Sequence, residues 1–388
     1  SHATLTHHFR VFDEAFAQIP HLVCYAVKAN SNLAILRVFI NQGSGVDIVS
    51  GGELFRALKA GVDPQKVVYS GVGKRPEEMR FALEQGILMF NIESEQELLA
   101  LNQIAGELGK KGRIALRVNP DVNPQTHPYI STGLRQNKFG INIERAVEAY
   151  LVARELPHLE IVGVACHIGS QLTQLSPFLE TLDRLKLLLQ RLGKEGIEIH
   201  YLDLGGGLGI QYKEETPPHP REYGQEIIKE LAGLEVTLIL EPGRVLVGNA
   251  GILVTKVLFT KDTPEKYFFI VDAGMNDLAR PSLYGSYHGI QPVRQQERRE
   301  IKASVVGPIC ESGDFLAKDR LLPEVAPGDL LAVMSAGAYG FSMSSNYNSR
   351  PRVPEILVRK DRFYVIRERE TYEDLIRGEQ LPDFLLQS

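Results

Sequence analysis

The sequence predicts an α/β chain in which a closed (β/α)8 barrel of the TIM type is followed by a mostly antiparallel β domain. Three observations carry this. Eight short apolar runs alternate with stretches at helical spacing over about 250 residues, the size of such a barrel. The runs are continuously apolar, as parallel strands covered on both faces must be. Beyond Gly251 the alternation stops, and strand-like runs are joined by turns.

The strand candidates are 22–28, 45–50, 66–71, 88–93, 113–119, 161–168, 198–204 and 237–241. Helix candidates fall between them at 31–42, 51–61, 75–86, 94–109, 142–155, 175–193 and 221–233, and one more precedes the first strand at roughly 3–18. A doubly wound open sheet would not need eight units. After the barrel, strands are expected at 252–259, 267–272, 301–306, 329–334 and 355–366, and a short helix at 371–378. The expected domains are therefore 1–250, the cofactor-binding barrel, and 251–388, the β domain. One connection is unusual. Residues 120–140 carry three prolines and two glycines without periodicity, and a lid is expected there.

Chemistry in such a barrel sits at the C-terminal ends of the strands. Lys28 closes strand one, Asp47 lies in strand two, and His167 lies near the end of strand six. Gly205-Gly206-Gly207 follow strand seven, and Glu241 ends strand eight, leading into Pro242-Gly243-Arg244. Each has an ordinary alternative: a surface lysine, a core histidine bonded to a carbonyl, a turn carboxylate, a tight glycine turn. Together they converge on one mouth. Glycine turns after strands seven and eight form the usual phosphate site of these barrels, with a helix N-terminus expected to follow. A phosphate anchor opposite a lysine able to form an imine calls for a phosphorylated aldehyde, and pyridoxal 5'-phosphate is one. Glu241 would then keep the pyridine nitrogen protonated, and His167 would stack on the ring.

The motifs YAVKAN (25–30), HIGSQ (167–171), DLGGGLG (203–209), EPGR (241–244), ARPSLYGSYH (279–288), CESGD (310–314) and AGAYG (336–340) run in order along the chain. On these it resembles the diaminopimelate decarboxylases, within the barrel-type (fold type III) pyridoxal-phosphate decarboxylases. The resemblance implies decarboxylation of meso-2,6-diaminopimelate to L-lysine and CO2, with Lys28 carrying the cofactor as a Schiff base. It implies Ser170, Gly206, Gly207, Gly243 and Arg244 around the phosphate, with Asp47, His167, Glu241, Pro242 and Tyr339 completing the cofactor site. Arg244, Arg280 and Tyr284 would hold substrate carboxylates, Glu311 the distal ammonium, and Tyr339 would lie beside both. Cys310 would donate the proton, from the neighbouring subunit of a homodimer with shared active sites.

Two departures stand out. The family's segment ahead of strand one adds a strand to the β domain, and with only one helix here that strand is expected to be missing. Ser282 and Ser286 replace small residues, with little consequence expected. The rivals are an ornithine- or arginine-type decarboxylase, which shows a CDG-type motif where this chain has Cys310-Glu311-Ser312-Gly313-Asp314, and a non-catalytic cofactor carrier. An alanine racemase would place arginine, not Glu241, at the pyridine nitrogen.

Composition excludes other classes. A net charge of −5 offers nothing to nucleic acid or an anionic membrane, and no apolar run approaches the ~20 residues of a span. Three distant cysteines (Cys24, Cys166, Cys310) make no disulfide framework, which fits a reducing cytoplasm. No metal site is expected. The start at Ser1 leads to the expectation that some natural N-terminal sequence is absent.

Overall fold

The computed structural model describes residues 1–123, 132 and 138–386. Most of the expected lid, at 124–131 and 133–137, lies outside the described residues. The chain divides into two units, His2–Gly251 and Ile252–Ser388, with Ser1 grouped with the latter.

The first unit is a closed parallel barrel. Its strands are β1 (His21–Ala26), β2 (Gly45–Ile48), β3 (Val67–Tyr69), β4 (Met89–Ile92), β5 (Gly112–Asn119), β7 (Leu159–Ala165), β8 (Tyr201–Asp203) and β9 (Thr237–Leu240). A two-residue strand, β6 (Ile141–Asn142), adds to the end of β5. The ring closes because β1 pairs with both β2 and β9, and β4 pairs with β5. All eight ladder pairings are parallel. Every residue of β2, β3 and β4 is buried, as strands between a packed barrel interior and a helical layer must be.

Helices begin where the sequence supplies a cap just past a strand end. Asn32, Ser50 and Ser94 accept from the backbone N–H groups of Ala34, Glu53 and Glu97. The longest helix, Ser176–Lys194, buries Leu182, Leu185, Leu188 and Leu192 at three- and four-residue spacing. Cys24, Val68, Met89, Ala115, Val162 and Ile239 meet in one apolar cluster.

The second unit holds a six-stranded sheet in the order β12-β15-β10-β11-β13-β14. The strands are β10 (Leu253–Asp262), β11 (Tyr267–Val271), β12 (Ile290–Pro292), β13 (Glu300–Val306), β14 (Phe315–Pro323) and β15 (Leu330–Val333). Only the β11–β13 pair is parallel; the other four pairings are antiparallel. The fold expected from the sequence is therefore present. Strands β12 and β14 were not legible, because β12 is three residues ending in proline and Lys318-Asp319-Arg320 interrupts β14. The run at 355–366 is two strands, β16 (Glu355–Arg359) and β17 (Arg362–Arg367), turning at Lys360, whose φ is +56°. The expected helix at 371–378 shortens to Tyr372–Leu375, and a second turn of helix covers Asp383–Leu386.

Candidate active site

The barrel mouth opens into a cavity of about 180 Å³. Lys28, Ser70, Asn91, Arg117, His167 and Glu241 line it. Lys28 lies two residues past β1, in a 3-10 turn over Val27–Ala29, rather than within the strand. That turn swings its side chain over the mouth, where Nζ donates to Asp47 Oδ2 at 2.5 Å. Asp47 is fully buried in β2, and its Oδ1 has no hydrogen-bond partner among the described residues.

Three carboxylates crowd this end. Burial pushes Glu241 well above the usual carboxylate range, and the nearby Asp203 and Asp47 push it further. Burial likewise raises Asp203 to about 6, against hydrogen bonds from Glu241, Asn91 and the Gly205 N–H. Asn91 ties the group together, donating to Asp203 Oδ2 at 2.8 Å and to Ser70 Oγ at 3.1 Å, while Ser70 Oγ donates to Glu241 at 3.3 Å. Buried acids that raise one another in this way favour a positive charge in their midst.

His167 lies two residues beyond β7, where the strand was expected to run to 168, and Glu241 lies one beyond β9. Burial, with Arg117 and Lys28 nearby, holds its imidazole well below the usual histidine range, so the ring is neutral. Nδ1 accepts from the Gly206 N–H at 3.2 Å, which places the ring proton on Nε2. Arg117 is fixed in turn by Glu93 at 2.7 Å, and Glu93 also accepts from the backbone of Gly71 and Gly140.

The glycine turn after β8 permits backbone approaches no other residue allows. A Cβ on Gly206 would lie 2.2 Å from the Glu241 carbonyl, and Gly207, at φ +114°, packs against the Gly169 carbonyl. The helix expected at 221–233 is present as Pro220–Glu230, well after this turn. Only the one-turn helix Arg244–Val247 follows Pro242-Gly243. Arg244 is buried and donates to Ser170 Oγ at 3.0 Å and to the Tyr212 hydroxyl at 2.7 Å.

In the second unit, Arg280 and Tyr284 bound a short helix, Arg280–Tyr284, and Arg280 is buried against His288. Cys310 and Glu311 lie in the turn between β13 and β14. Cys310 is exposed, and its backbone N–H donates to Asn348 Oδ1 at 2.8 Å. Glu311 pairs with the Tyr347 hydroxyl, raising that phenol. Asp314 closes the turn, accepting at 2.7 Å from the N–H groups of both Ile309 and Met275. Ser282, expected to matter little, donates to the Gly313 carbonyl at 2.6 Å and so ties the Arg280 helix to the Cys310 turn. Tyr339 follows β15 at φ +56°.

Asn91, Asp203, Ser70, Tyr212, Glu93 and Arg117 were not singled out from the sequence. A signal for several of them was present: Ser70, Asn91, Asp203 and Arg117 are polar residues in or at the end of apolar strands, where burial needs a partner. All three cysteines are unpaired. Among the described residues, no group of three His, Cys, Asp or Glu side chains is placed to hold a metal, and no helix is long and apolar enough to cross a membrane.

These features fit pyridoxal phosphate. The amine of Lys28 reaches the mouth, the excess of buried carboxylates suits a pyridinium cation, and the turns of Gly206 and Gly207 exclude side chains. Fold and mouth together define a pyridoxal-phosphate-binding barrel. The family model described as "Pyridoxal-dependent decarboxylase, pyridoxal binding domain" matches residues 2–248, and the chain belongs to that family.

Relatives extend the likeness over both units. The chain is 56% identical to the diaminopimelate decarboxylase of Pseudomonas aeruginosa, over 98% of this chain and 92% of that protein. The crystal structure of the Helicobacter pylori diaminopimelate decarboxylase complexed with L-lysine is similar at a TM-score of 0.95 and 46% identity, covering 98% of this chain and 95% of that one. The M. jannaschii enzyme, also with L-lysine, is similar at a TM-score of 0.95 and 42% identity, covering 99% and 92%.

Proposed function

We propose that this chain decarboxylates meso-2,6-diaminopimelate at its D centre to L-lysine and CO2, the last step of lysine biosynthesis. The observation that carries this reading is the Lys28–Asp47 pair facing a buried Asp203–Glu241 cluster at the barrel mouth, in a chain so similar to diaminopimelate decarboxylases. Bound pyridoxal phosphate supplies the electron sink that takes up the pair left when the bond to CO2 breaks. Lys28 would hold it and, once displaced by the substrate amine, leave its own amine paired with Asp47. Glu241 would keep a proton on the pyridine nitrogen, with Asn91 and Ser70 fixing the carboxylate. His167, neutral and oriented by Gly206, would cover one face of the ring and exclude water there. Ser170 and Arg244, with Gly206, Gly207, Pro242 and Gly243, would surround the phosphate.

Arg280 and Tyr284 would take substrate carboxylate, alongside Arg244, while Glu311 would take the distal ammonium and Tyr339 would lie beside both. A guanidinium fork holds a carboxylate through two parallel bonds, which lysine does not reproduce. A diamine substrate without the distal carboxylate would leave that buried arginine unsatisfied, at a cost of about 2–4 kcal/mol. Cys310 Sγ–H would give its proton to the carbon that has lost CO2, a role an ordinary neutral thiol can fill.

The same reading brings Cys310 from the second subunit of a homodimer. Two features support this: the exposed position of the Cys310 turn, and the exposed apolar residues of the β16–β17 hairpin and the C-terminal segment, including Phe363 at 70% and Phe384 at 73%. The unpaired cysteines fit a cytoplasmic enzyme.

Release of CO2 from meso-diaminopimelate, ornithine and lysine assayed side by side tests the assignment. Diaminopimelate should be favoured by at least tenfold in kcat/KM; equal or greater turnover of ornithine would make this an ornithine-type enzyme.

A further inference from the structure

Arg280 is 5% exposed and His288 is completely buried, eight residues further along the chain. The imidazole lies between two fixed partners. Its Nδ1 is 2.8 Å from the Met334 carbonyl, and its Nε2 is 2.9 Å from Arg280 Nη1. A carbonyl only accepts and a guanidinium only donates. Both contacts are hydrogen bonds only if Nδ1 carries the proton and Nε2 presents its lone pair. Geometry therefore fixes one neutral tautomer.

The imidazole is also held from behind. The Met334 N–H donates to the Gly289 carbonyl at 2.8 Å, continuing the β12–β15 ladder in which Ile290 faces Val333. The backbone carbonyl of His288 accepts from Arg320 of β14, whose guanidinium lies 3.8 Å over the Tyr287 ring. Three strands thus converge on one side chain whose Nε2 is aimed at Arg280. Acidic side chains would also hold an arginine, but they would neutralise it. A neutral acceptor orients the guanidinium without itself neutralising it.

We infer that His288 is a positioning residue for substrate binding: its Nε2 lone pair sets the fork of Arg280 for the substrate carboxylate. The inference rests on the proposed role of Arg280. His288 touches neither cofactor nor substrate in this scheme, so its effect belongs in KM rather than kcat.

Two conservative replacements separate this from a merely structural role. The amide oxygen of His288→Gln can occupy the Nε2 position, whereas that of His288→Asn reaches only the Nδ1 position. With the holoenzyme, H288N should raise KM for diaminopimelate at least tenfold with kcat within threefold, and H288Q should bring KM back to within about threefold of the parent. Cofactor content, read from its absorbance, should stay unchanged in both. Arg280→Gln is the control for the underlying reading. If R280Q raises KM and H288N does not, or if H288Q is no better than H288N, the positioning role is overturned and that of Arg280 stands. If R280Q leaves KM unchanged, both fall. Should H288N fold poorly, His288→Ala and the R280Q/H288A double variant decide: a raised KM in H288A with the double equal to R280Q alone supports the coupling, and an unchanged KM in H288A or independent, multiplying effects overturn it.

Discussion

The two units handle buried charge in opposite ways. At the barrel mouth, Asp47, Asp203 and Glu241 are packed together so that burial and mutual repulsion raise two of them, and Lys28 donates a cationic hydrogen bond to Asp47. In the β unit, Arg280 is buried against an imidazole that is in turn bound to a backbone carbonyl. The first arrangement welcomes a cation, and in the second a neutral acceptor orients one. On the proposed function, that division would suit a zwitterionic substrate: the barrel residues would supply the electronics and Arg280 the recognition.

Lys28→Ala strikes the barrel mouth hardest. It should abolish CO2 release and leave no lysine tagged after borohydride reduction; residual turnover near the parent rate would remove the barrel mouth from the chemistry. Cys310→Ala comes next. If the β unit also delivers a proton, kcat should fall by roughly 10²–10⁴-fold, the usual worth of a positioned acid, and Cys310→Ser should fall between the two. Unchanged kcat in C310A would confine the β unit to binding. Glu241→Gln removes one carboxylate of the crowded set without changing its shape. Rate should fall by about 10²–10³-fold with cofactor retained, an electrostatic loss of the ordinary size.

The smallest effect expected is on stability. Arg352 and Asn346 hold Glu370 down from its ordinary 4.5 to about 2. An acid whose folded value is depressed stabilises the fold above its unfolded value and loses that contribution as pH falls through the folded one. At this half-buried position near the surface the gain is about 1 kcal/mol or less after screening. Glu370→Gln should therefore lower Tm by a few degrees at pH 7, and the difference should close between pH 4.5 and 2. A constant difference across that window would mean the pair does not act through charge.

Legibility in the sequence followed the same division. The barrel strands are apolar on both faces, so each polar residue at their ends was conspicuous, and Lys28, Asp47, His167 and Glu241 could be placed on one mouth by counting strands. What counting missed was the support: Asn91 and Asp203 are single polar residues whose meeting depends on ring closure, and Arg117 and Glu93 come from neighbouring strands. Strand ends were also drawn too long, since Lys28, His167 and Glu241 lie one or two residues past the ladders. In the β unit Arg280, Cys310 and Tyr339 carry no periodic signal and came only with the family motifs. The Arg280–His288 bond could not be read at all, because it needs the register of β12 on β15.

The turn carrying Cys310 is fastened at its far end. Because Asp314 alone grips the backbone of both Ile309 and Met275, the side chains at 311 and 312 carry none of that anchoring. On the proposed roles of Glu311 and Cys310, substitutions at 311 and 312 should alter what the turn recognises while its path stays put, so substrate preference would be free to drift there without redirecting the thiol.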